Sequence, residues 1–122
     1  MPVVSNTSPI LNFAIIGRLD LLRDQFGQVL IPSAELDQGE AAAIALALEL
    51  GISKILMDER DGRARAKALG PQPVGILGVL LRAKRDGRLD SVKDAMQTLR
   101  REAGFFIADD LFAAILTEAG ER

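Results

Sequence analysis

The chain has no cysteine and no histidine. Disulfides, thiolate nucleophiles, His-based triads and the usual His/Cys zinc sites are excluded together. A metal held here would be held by oxygen from Asp, Glu, Asn, backbone or water, which points to magnesium or manganese before zinc. Aromatic residues are scarce: five Phe, no Trp and no Tyr. Stacking of bases on aromatic platforms is therefore not expected to be the main mode of binding. The net charge is −2, so charge does not announce a nucleic-acid binder. No run approaches the roughly 18 uncharged apolar residues of a membrane span. The N-terminus carries neither the basic patch nor the apolar stretch of a signal peptide, so a cytoplasmic location without membrane partners is expected.

What is present suffices for one domain over residues 1–122, with 48% hydrophobic and 26% charged residues supporting a packed core. Strand-like and helix-like stretches alternate. Val3–Ser5 reads as a short strand, and Ser8 and Pro9 suit the N-cap and first position of a helix broken near Gly17. Residues 28–31 (QVLI) form a second strand stopped by Pro32. Residues 40–50 (EAAAIALALEL) form a helix almost without a polar face, the pattern of a buried helix. Residues 54–57 (KILM) form a third strand, followed by a short basic helix over 60–69. A strand over 73–76 and a helix over 77–85 come next, then helices over 91–103, capped by Ser91, and 109–119, capped by an Asp. Alternation of this kind argues for an α/β fold with a parallel sheet covered on both faces.

In such a sheet ligands bind beyond the carboxyl ends of the strands. There the chain places Asn6 after the first strand and Asp58, Glu59 and Asp61 after the third; Glu40 opens the helix before the third. Carboxylates without His or Cys suit a divalent-metal site for phosphoryl chemistry. Each residue also has a plainer role. Asp37 and Glu40 have the spacing of a capping box, Asp58 or Asp61 could cap the following helix, and Asn6 could be a turn residue. Arg60, Arg63, Arg65 and Lys67 form either a solvated face or an edge that contacts phosphate; Arg82, Lys84, Arg85 and Arg88 admit the same two readings.

Several blocks resemble a subfamily of the PIN domain related to VapC-type toxins: VVSNTSPILNFAIIGRLDLL, LDQGEAAAIALALELGISKILMDERDGRARAKALG, PVGILGVLLRAKRDG and FFIADDLFAAILTEAGE. They cover nearly the whole chain, and GEAAAIALA followed by ILMDER is the more specific part. The resemblance implies a three-layer α/β/α sandwich around a parallel sheet of four or five strands. It implies acidic residues that bind magnesium or manganese, and endoribonuclease activity in active members. An antitoxin partner and a homodimer or higher oligomer are implied with it. Carried over residue by residue, the metal positions are Asn6, Glu40 and Asp58, with Glu40 and Asp58 in the catalytic role and Asp61 as the fallback. Ser8, Arg60, Arg63 and Lys67 are the candidate RNA contacts. Two departures stand out. Asn6 occupies a position that is usually Asp, which removes one negative charge from the site. Asp58 also lacks the Thr or Ser that usually lies two residues before the acid.

The resemblance further implies about thirty residues after the second strand, with a second acidic residue among them, an unusual length for a bare connection. Here IPSA (residues 31–34) runs directly into ELDQGE. The Ala34–Glu35 joint has no turn chemistry, whereas Pro32-Ser33 reads as a helix start. A segment is therefore expected to be absent there, with Cα atoms farther apart than the trans-peptide spacing of about 3.8 Å. An ordinary spacing would instead imply a truncated, inactive domain. Two functions follow: a magnesium- or manganese-dependent endoribonuclease, or a PIN-like binding or assembly module without catalysis. A receiver-like or phosphatase-like domain is disfavoured, because no Gly-rich phosphate loop is present.

Overall fold

The structure, a computed structural model, describes residues 2–32 and 39–122. The expected break at Ala34–Glu35 and the capping role of Asp37 lie outside the described residues, as do the side chains of Glu40 and Asp61. The elements are β1 (Val3–Ser5), α1 (Thr7–Ile15), α2 (Leu19–Phe26), β2 (Val29–Leu30), α3 (Gly39–Leu50), β3 (Lys54–Leu56), α4 (Arg60–Leu69), β4 (Gln72–Val74), α5 (Ile76–Arg85), α6 (Val92–Glu102) and α7 (Asp109–Glu118).

The four strands form one sheet in the order β2-β1-β3-β4, and every neighbouring pair is parallel. Successive strand residues point to opposite faces, and this divides the core in two. Val3 and Leu56 join Phe13, Leu21, Val79, Leu80, Met96 and Leu99 on the face covered by α1, α2, α5, α6 and α7. Val4, Ile55 and Met57 join Ala43, Ile44, Ala47 and Ala66 on the face covered by α3 and α4. Strands buried on both faces have no polar alternation, which is why VV and KILM read as continuous apolar runs. The result is the expected α/β/α sandwich.

Three local expectations need correction, while the break expected near Gly17 is found. Helix α1 starts at Thr7, with Asn6 in the cap position, so Ser8 lies inside the first turn. Gly17, at φ +71°, separates two distinct helices. Helix α3 is not buried all round. Ala43, Ile44 and Ala47 face the sheet, while Leu48 and Leu50 are 51% and 52% exposed. A helix on the outside of a sheet has one face to bury, whatever the composition of the other. Helix α7 is not capped by an Asp, because Ala108 holds the cap position and Asp109 instead pairs with Arg100 at 3.2 Å.

The cap on α6 is as expected, and it is reinforced. Ser91 Oγ accepts the Asp94 amide at 3.0 Å. Glu121, from beyond α7, accepts the Val92 and Lys93 amides at 2.8 and 3.1 Å and pairs with Lys84 at 3.2 Å. Burial pushes the Glu121 carboxyl up, but the two amides and the Lys84 ammonium outweigh it and hold the group below its ordinary value.

Candidate metal centre

Strands β1 and β3 are adjacent, with Ser5 opposite Leu56. The chain leaves β1 towards α1 on one face of the sheet and leaves β3 towards α4 on the other. The two departures open a crevice at the carboxyl end of the sheet, the switch point at which doubly wound domains bind ligands. Asn6 and Asp58 sit at its two lips, on strands about 4.8 Å apart. Helix α3 contacts β1 and β3, and the chain turns at Gly51 to enter β3. A returning helix of twelve residues outreaches a three-residue strand, so Glu40, in its first turn, lies at this same end of the sheet.

The polar groups here are unevenly satisfied. One carboxylate oxygen of Asp58, Oδ2, accepts from Ser8 Oγ at 2.9 Å and from Asn12 Nδ2 at 3.1 Å. The other, Oδ1, is buried without a partner among the described residues, and so is Asn6 Oδ1. The Asn6 side chain makes no cap bond to α1, and its backbone carbonyl accepts from Ser5 Oγ at 2.6 Å. Arg63 Nη1 donates to the Asp58 carbonyl at 2.9 Å, which fixes the chain direction after β3. A buried polar atom without a partner costs about 1–3 kcal/mol. Two acceptor oxygens in that state at one crevice, with no donor among the described residues aimed at either, are what a hard cation with oxygen ligands requires.

The expected residues are therefore only partly gathered. Asn6, Ser8, Asp58 and Arg63 meet at the crevice. Arg60, exposed, opens α4 beside it, whereas Lys67 lies in the last turn of that helix, about 10 Å further along its axis. Asp58 does not cap α4: Glu59 holds the cap position, and the Asp58 carboxylate turns to α1 instead. Among the described residues no three acidic side chains gather closely enough to form a metal site by themselves.

Asn12 was missing from the sequence reading. It is one of two buried polar residues among the described ones, at 9% exposure, and reaches Asp58 across 46 positions of the chain. Its signal was local and faint. Ser8 and Asn12 are four residues apart on one helix, hence on one face, and Asn is a poor choice for a helix interior unless its amide has work there. Ser8, expected at the N-cap, serves as the second donor because α1 begins two residues earlier.

No helix among the described residues is long and apolar enough to cross a membrane. A family model described as PIN domain matches residues 2–34 and 33–121. The two matched stretches meet at residues 33–34, next to the joint where the sequence suggests a missing segment. No curated protein and no solved structure matches the chain.

Proposed function

Since the chain belongs to the PIN-domain family, a nuclease-type fold, we propose that it is a divalent-metal-dependent endoribonuclease of VapC toxin type. The observation that carries this reading is the pair of buried, unpartnered oxygens, Asn6 Oδ1 and Asp58 Oδ1, at the switch point. They would hold magnesium or manganese, with Glu40 from the start of α3 as a further carboxylate and Asp61 as the fallback. A cation held there supplies a water of lowered pKa for in-line attack on a phosphodiester and stabilises the leaving oxygen.

The chain's own side chains provide the rest. Ser8 and Asn12 fix Asp58 Oδ2 and so aim Oδ1 into the crevice, an outer-shell task on which metal affinity depends. Arg60 and Arg63, at the head of α4, attract and orient the RNA backbone. Asn6 leaves the ligand set one negative charge below an Asp at that place, and a carboxylate on the segment that the resemblance implies near Ala34–Glu35 would restore it. An antitoxin protein and self-association into a homodimer or higher oligomer belong to this reading, as does action in the cytoplasm.

The test is RNA cleavage with magnesium or manganese, comparing the native chain with Glu40→Gln. Metal-dependent cleavage that disappears in the variant supports the proposal, and equal cleavage by both would overturn it. The alternative is a PIN-like binding or assembly module without catalysis. It is favoured by the amide at Asn6 and by the acidic balance of the chain, with a net charge of −2. An unchanged melting temperature at millimolar magnesium would support it.

A further inference from the structure

The large apolar side chain most exposed among the described residues is Phe106, at 84%. It stands between two anchored neighbours on the connection from α6 to α7. Phe105 packs against the core and donates its amide to the Leu99 carbonyl at 3.1 Å. Ile107 is buried, and its carbonyl is held by the Arg100 guanidinium. With both neighbours fixed inward, the ring between them is displayed outward on a supported backbone.

Phe105, Phe106 and Leu111 line one cleft together with Asp58, Arg63 and Gly75. The exposed ring therefore shares a depression with the candidate metal ligand. The cleft measures about 220 Å³, below the roughly 300 Å³ at which pockets for whole small molecules begin. It suits a flat group and is too small for a complete nucleotide. Gly75 contributes no side chain to it, and a Cβ there would lie 3.5 Å from Arg63 Nη1. An apolar peptide segment entering this cleft would desolvate the Asp58 carboxylate without replacing its water. An RNA chain suits both walls, with a base against the ring and the adjoining phosphate towards Arg63; the unpartnered oxygens, being acceptors, would meet that phosphate only through a cation held between them.

We infer that Phe106 is a stacking platform for one unpaired nucleobase of the RNA strand, next to the phosphate to be cleaved. The choice of RNA rests on the nuclease reading above, but the test needs no cleavage. Because the chain has no Trp, Phe106→Trp introduces a single fluorophore at the platform. A single-stranded oligoribonucleotide is titrated against this variant, Phe106→Ala and the native chain, with and without magnesium. RNA integrity is followed in the same samples.

Stacking predicts quenching of the Trp emission by the oligonucleotide and none by a strand of equal length made of abasic units. It also predicts binding weakened about fivefold or more in Phe106→Ala, the lower end of what loss of one stacked base gives, and retained in Phe106→Trp. Equal affinity for the native chain and Phe106→Ala, equal quenching by the abasic strand, or no binding of RNA at all would overturn the inference. So would a Phe106→Ala variant that binds RNA normally but loses self-association, which would mark a protein contact. RNA bound with quenching yet left intact would instead sink only the nuclease reading. Cleavage indifferent to residue 106 would sink only the platform.

Discussion

The two oxygens of the Asp58 carboxylate have different surroundings. One oxygen is held by two donors from α1 and the other is buried and unpartnered. Its position after a strand was legible in the sequence, but the choice between cap and ligand was not, because both begin with an acid after a strand. The cap is excluded because the carboxylate turns to donors 46 and 50 positions away, which no local pattern encodes. Asn6 provides the residue-scale prediction. Asn6→Asp places a second unpartnered carboxylate at the crevice, so in EDTA the melting temperature falls by roughly 3–10 °C, equivalent to about 1–2 kcal/mol. With millimolar magnesium the order reverses, because two charged oxygens bind the cation more tightly than one. Thermal melts of both proteins in both buffers check this, and a variant less stable than the native chain with magnesium would refute the metal role.

At the scale of elements, strands were read well and helix surroundings less so. Apolar runs bounded by Pro, Gly and Asn mark covered strands directly. The same lack of polar residues in α3 suggested burial, yet Leu48 and Leu50 are half exposed, since composition cannot tell an outer layer from an inner one. The last two helices hold a further lesson. Ser91 was recognisable as a cap, but Glu121, thirty positions from it, was not, because its amide partners come from folding. Glu121→Gln keeps an acceptor and loses the charge, which costs about 1–2 kcal/mol at neutral pH. The native carboxyl is held below its ordinary value, so its contribution is complete above the unfolded value. It disappears as pH falls through the lower, folded value. Urea unfolding of both proteins at pH 7 and at pH 3 should therefore show a stability gap that narrows in acid.

For the whole molecule, charge and function have to be reconciled. A net charge of −2 gives no general attraction to RNA, so the binding proposed above would rest on a local group of cations. Arg60 and Arg63 stand at the head of α4, and Lys67 lies further along it. If these three engage phosphates, the logarithm of the binding constant falls against that of salt concentration with a slope of about −2. Arg60→Glu should make the slope shallower by about 0.7, as anisotropy titrations from low to moderate salt would show. A slope unchanged by that reversal would remove Arg60 from the interface. The sheet and its layers were legible because alternation of elements dictates them. The crevice was legible only as a place, since its contents depend on which loop leaves towards which face.

The bonds at Asp58 have a mechanical side. The carboxylate precedes α4 on one face of the sheet and is held by Ser8 and Asn12 from α1 on the other, so it is a stitch across a seam between layers. Anything bound at the adjoining oxygens pulls that stitch tight, and the tightening should be visible as slower amide hydrogen exchange. On addition of magnesium, protection should rise in the first turns of α1 and α4. Helices α6 and α7, fastened separately through Glu121, should keep their own exchange rates.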